Sequence, residues 1–174
     1  MKKLWIIAVC AFLLSGCTQP ESLETVADPV VTPEIPEPMA AVFNMPPEAV
    51  QQTVAEENAG QLYICDGYTM TLQTVPGGDI RETLRNATGF LPSQLELIET
   101  RQGSAKEYQF VWTSVSDTGD QLCRGSVLDD GNYHYVLTAM APYETAGVLS
   151  RGQWQEVFSS FRLMKPEDIV SSGS

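Results

Sequence analysis

Basic residues are scarce in this chain of 174: ten lysines and arginines stand against 22 aspartates and glutamates, and none lies between Lys3 and Arg81. Binding to nucleic acid needs clustered cations that displace counterions from phosphates, so a nucleic-acid partner is excluded. Histidine occurs once, as His134 between Tyr133 and Tyr135. A metal site or a Ser-His-Asp triad needs companions that this residue lacks, and a structural role is expected for it. The chain also lacks a G-x-S-x-G elbow and a C-x-x-C pair. Its one glycine-rich turn, VPGGDI at 75–80, carries no Lys-Ser/Thr and would set Asp79 where an anion has to sit. The acidic loops SDTGD and LDDGN do not follow the calcium-loop pattern and read as hairpin turns. No catalytic residue, metal site or cofactor site is expected, and the chain is read as a non-enzyme.

Long apolar runs are missing as well. The best, Leu4 to Leu14, follows Lys2 and Lys3 and turns polar by Thr18. A helix that spans a bilayer needs about 20 apolar residues, so this is the charged n-region and apolar h-region of an export signal. Its end is unusual. In place of an A-x-A-like cleavage pattern, Leu14-Ser15-Gly16 runs straight into Cys17.

Those four residues resemble the lipobox of bacterial lipoproteins, at the right distance from the N-terminus. The resemblance implies that residues 1–16 are a lipoprotein signal peptide, that the Cys17 thiol takes a diacylglycerol, and that cleavage falls before it. Two acyl chains hold a protein at a membrane where one does so marginally, at roughly 0.8 kcal/mol per buried methylene. The expected location is the extracytoplasmic face of a bacterial membrane, inner or outer being left open, with membrane lipid as the first partner. Loss of Lys2 and Lys3 takes the net charge from −12 to −14, so the polypeptide itself would not cling to anionic lipid.

Residues 17–60 read as a tether behind the lipidated cysteine. From Thr18 to Gly60 lie seven of the eleven prolines, with eight acidic residues and no base. Proline removes backbone donors and like charges repel, so such a segment stays extended. Its reach is about 35 Å as a flexible coil and roughly 130 Å as polyproline II. An alternative for its last part is a short helix over PPEAVQQTVAEENAG, started by Pro46 and Pro47 and stopped by Gly60.

Residues 61–165 are expected to fold, and 166–174 to form a flexible tail. QLYIC, then Asp66-Gly67, then YTMTLQTV reads as a β-hairpin with a type I′ turn or a close relative. Asp79 caps a helix whose Ile80, Leu84 and Ala87 face a core and which Gly89 ends. Four strand-like runs follow: LELIET, KEYQFVWTSVS, QLCRGSVL and NYHYVLTAM. The turns between them are too short for parallel crossovers, so the sheet is antiparallel. Trp154, Val157, Phe158 and Phe161 share one face of a last helix, capped by Ser150 with Gln153, and Tyr108, Phe110 and Trp112 are expected to pack against it. The fold class is α+β: an antiparallel sheet of five to six strands with an N-terminal and a C-terminal helix.

The block GNYHYVLTAMAPYETAGVLSRGQWQEVFSSFRLM, Gly131 to Met164, is similar to the ending of PsbP-like lipoproteins. It shares a strand running into a Thr-Ala segment, an acidic loop, and a helix finishing on a Ser-Phe pair, here Ser160-Phe161. The resemblance implies an α-β-α sandwich used for binding and assembly and transfers no catalytic residue. Cystatin-like and NTF2-like folds share the same element content.

Two candidate features remain in the domain. Cys65 and Cys123 are an even pair in an exported chain and are expected to form a disulfide, worth roughly 4 kcal/mol in the chain-entropy model. MAPYETAG, between the last strand and the last helix, would offer Tyr143 and Glu144 as a binding loop. The function expected from all this is an envelope lipoprotein that binds or assembles with an envelope protein. The alternatives are a small-ligand carrier, or a hydrolase with a carboxylate pair.

Overall fold

The computed structural model describes residues 36–52, 60–117, 119–149, 151–165 and 167–168. The described residues belong to one compact unit. At its centre is a seven-stranded antiparallel sheet. In chain order the strands are β1 (Ala40–Val42), β2 (Val50–Gln52), β3 (Gln61–Cys65), β4 (Tyr68–Pro76), β5 (Glu96–Gln102), β6 (Ala105–Ser116), β7 (Gly119–Asp129), β8 (Tyr133–Pro142) and β9 (Arg162–Met164). The main sheet runs β2-β3-β4-β8-β7-β6-β5, and β1 pairs with β9 in a separate antiparallel ribbon. Three helices complete the fold: α1 (Ile80–Thr88), α2 (Tyr143–Leu149) and α3 (Gln153–Ser160).

The turns follow from the residues that make them. Cys65 pairs with Tyr68 across Asp66-Gly67, and Gly67 alone takes a positive φ, of 77°. A type I′ turn needs positive φ at both central residues, so this hairpin uses one of its relatives. Asp79 caps α1 by accepting from the Arg81 backbone N–H at 3.0 Å, and its carboxylate also holds the Arg81 guanidinium at 2.7 Å. That neighbour keeps the Asp79 carboxyl below the ordinary range. Gly89 ends the helix in the left-handed region and returns its N–H to the Arg85 carbonyl at 2.7 Å.

Both faces of the sheet are covered, by different helices. On one face α2 and α3 close a core of Tyr68, Met70, Leu137, Trp154, Phe158 and Phe161 with their neighbours. On the other, Leu84 of α1 packs among Tyr108, Phe110, Trp112, Cys123, Val127 and Val136. The aromatic stripe of β6 therefore meets α1, not the last helix. Its partner strand helps set this face: Phe110 pairs with Gly125, and a side chain at Gly125 would collide with the Phe110 ring. The central strand β8 is buried from His134 to Ala139, as a strand covered on both faces must be.

Three further expectations change. The sheet has seven strands because β2, exposed at all three residues, adds an edge beside β3. The segment read as a tether up to residue 60 holds β1 and β2, so ordered structure begins before residue 61. Val50–Gln52 is a strand where a short helix was the alternative, while 53–59 lie outside the described residues. β1 is held by Phe43, edge-on to the Tyr63 ring at 5.9 Å, and by the Met39 N–H, which donates to Tyr135 Oη at 2.7 Å. Ser150, the expected cap of the last helix, lies outside the described residues, and α3 starts after Gly152.

Candidate functional site

Cys17 and the motif before it lie outside the described residues. Cys65 and Cys123 are both buried and both free. The expected disulfide is corrected by geometry. Cys65 is on β3 in the α3-side core, Cys123 on β7 in the α1-side core, and β4 and β8 run between them. Three strand spacings put their Cα atoms about 14 Å apart on opposite faces, while a disulfide reaches about 7 Å at most. Burial raises both thiols, Cys123 to about 11, so neither is a thiolate at neutral pH.

His134 is buried, with Nδ1 at 2.7 Å from Thr83 Oγ1 and Nε2 at 3.7 Å from Asp129 Oδ1. It joins α1 to the sheet. The acidic turn after β7 is also structural. Asp129 accepts from the Gly131 N–H, and Asp130 accepts from the Asn132 and Tyr133 N–H groups and from Tyr135 Oη. Among the described residues no three of His, Cys, Asp and Glu are grouped to hold a metal.

The expected binding loop is mostly regular structure. Met140 to Pro142 finish β8, and Tyr143 and Glu144 open α2, both exposed, Tyr143 at 59 %. Pro142 ends the strand and Thr145 Oγ1 returns to its carbonyl at 3.1 Å, which turns the chain directly into the helix. Clefts among the described residues include one of about 250 Å³ between α1 and the end of β4, one of about 70 Å³ between Pro46-Pro47 and α3, and a third of about 360 Å³ beside α3 over β5–β7. Tyr143 and Glu144 line none of these three.

The third is the best built. On the face that carries α3, Gln102 of β5 reaches the Phe161 carbonyl at 2.8 Å and Glu107 of β6 is buried, while Glu96, Ile98 and Val111 at the other end of β5 and the middle of β6 stay exposed. Register places Glu96, Val111, Arg124 and Ala139 in one row across β5, β6, β7 and β8, with Ile98 and Gln109 in the next. Ile98 is 61 % and Val111 45 % exposed, although both point to the face that carries the core elsewhere. Trp154, Leu122 and Arg124 line the inner side. Arg124 is half-buried, its guanidinium 4.6 Å above the Phe158 ring centroid.

Beside this row, Glu107 is buried on β6 and its carboxylate accepts three hydrogen bonds. It accepts from Thr100 Oγ1 at 3.1 Å, Gln109 Nε2 at 2.9 Å and Ser126 Oγ at 3.1 Å. No ion pair joins Glu107 to Arg124 among the described residues. Sequence reading missed both residues, since alternation along β6 and β7 marks which residues share a face but not which part of a face lacks a covering helix.

The architecture is shared with LpqN of Mycobacterium tuberculosis, a protein involved in cell envelope biogenesis. The TM-score is 0.51 at 10% identity, over 74% of this chain and 86% of LpqN. Cyanobacterial PsbP (CyanoP) from Synechocystis sp. PCC 6803 aligns with a TM-score of 0.48 at 12% identity, over 72% of this chain and 92% of CyanoP. No family model and no curated protein matches the chain. The likeness to LpqN is one of fold, with identity too low to carry residues across.

Proposed function

We propose that this protein is a bacterial envelope lipoprotein, fastened by acylated Cys17 to the extracytoplasmic side of a membrane, whose domain works by binding and not by catalysis. The anchor is supported by the match of Leu14-Ser15-Gly16-Cys17 to the lipobox and by the proline-rich acidic stretch behind it. The envelope setting gains support from the fold shared with LpqN, which is involved in cell envelope biogenesis. The observation that carries the binding role is the cleft beside α3. Its walls are largely apolar, with one cation, one exposed carboxylate and one amide, and they offer no histidine, cysteine or hydroxyl nucleophile. Such a lining suits a bound partner or ligand better than bond cleavage.

The test is crosslinking in cells followed by affinity purification, with a Cys17→Ala variant as control. The reading predicts an envelope protein that co-purifies with the anchored form and is lost with the variant. A Cys17→Ala protein that stays in the membrane fraction and keeps the same partners contradicts it.

A further inference from the structure

The 360 Å³ cleft beside α3 carries a feature that packing alone leaves unused. Arg124 pairs in register with Val111 on one side and Ala139 on the other, so both its cross-strand neighbours are apolar. Its guanidinium rests on the Phe158 ring, and among the described residues no hydrogen bond or ion pair engages it. The buried carboxylate of Glu107 accepts from Thr100, Gln109 and Ser126, and it acts on Arg124 through its charge without forming an ion pair. Glu96, two strands away, stands exposed at the outer rim. Burial pulls the Arg124 pKa down and the charge of Glu107 opposes that shift, and the side chain stays a cation. A half-buried cation at the inner end of an apolar trough suits a ligand with an apolar body and an anionic end.

We infer that the trough formed by Ile98, Val111, Leu122 and Trp154, closed by Arg124, is a binding site for an amphiphilic monocarboxylate. The guanidinium fork would take the carboxylate through two parallel hydrogen bonds, and the apolar body would lie along Val111 and Ile98. The size falls within the range of small-molecule sites. The inference rests on the domain being a binding module and names its ligand class, while the anchor stands or falls separately at Cys17.

The probe is decanoate, with decanol as the uncharged control, both below the concentrations at which they aggregate. Each is titrated into the chain from residue 17 onward carrying Cys17→Ser, with the Trp154 indole N–H followed by NMR. Saturable decanoate binding is expected to move this resonance and the amides of Ile98 and Val111, with decanol binding roughly tenfold weaker or worse. Arg124→Gln should bring decanoate down to the level of decanol. Ile98→Asp, at a 61 % exposed position of β5, should abolish binding by placing a like charge in the trough, with the amide spectrum outside the trough confirming the fold. Equal binding of the two probes, no saturable binding, or shifts centred on another face would overturn the inference. So would a dimer of this chain that Ile98→Asp dissolves, because that assigns the face to a second copy.

Discussion

Cys65 and Cys123 behave as small buried hydrophobes, and their chemistry follows from position. Because they lie on opposite faces, reductant should leave the thermal midpoint unchanged. A thiol reagent should find both thiols after denaturation and react slowly with either before it. A domain that loses stability in reductant contradicts this placement. Titration adds a signed prediction. The acidic groups raised by folding are Cys65, Cys123, Tyr63, Tyr68 and Tyr135, each chiefly through burial. A raised pKa means that the unfolded chain gives up its proton first, so their contribution is intact below the ordinary thiol value of 9.0 and fades as pH climbs through about 11. Denaturant melts between pH 8 and 11 should show stability falling with pH, and a flat or rising profile contradicts it. Gly125 marks a steric limit of the same scale. Gly125→Ala should displace the Phe110 ring and cost about 1–3 kcal/mol, read from the shift in urea midpoint.

At the scale of elements, α1, α3 and the long strands were legible, α2 was read as a loop, and the packing partners were not legible. Asp79, Leu84 and Gly89 announce α1, and Trp154, Val157 and Phe158 announce α3, because period and caps are local signals. Which helix covers Tyr108, Phe110 and Trp112 depends on the phase of β6 against β7 and β8, and no local pattern encodes that phase. Short elements were hidden for another reason. β2 is exposed at every residue and β1 is half-buried throughout, so neither has alternation to read. Their anchoring comes from afar: Tyr135, 96 residues on from Met39, accepts that residue's N–H while donating its own hydroxyl to Asp130. Tyr135→Phe should cost about 1 kcal/mol and speed amide exchange at Met39 to Val42 while leaving α1 protected. Uniform acceleration across the sheet would instead mean that the hydroxyl supports the core as a whole.

At the scale of the molecule, composition and topology divide the work. A cation-free, proline-rich stretch of sequence lies between Cys17 and β1. Residues 17–174 carry a net charge of −14, which gives the polypeptide no electrostatic hold on an anionic leaflet. The sheet has helices on both faces, and on the α3 side Ile98 and Val111 stay exposed beside the cleft. The candidate site was illegible in sequence because Arg124, Val111 and Ile98 come from three strands and are joined only by register. The proposed anchor, by contrast, rests on a contiguous motif of four residues, Leu14 to Cys17, that needs no register to be read.

The most direct measurement is the intact mass and N-terminal peptide of the protein recovered from bacterial membranes. The account predicts a chain that begins at Cys17 and carries a thioether-linked diacylglycerol on that residue, with Cys17→Ala abolishing both cleavage and modification. A recovered chain with an unmodified Cys17, or one processed at another residue, contradicts the account.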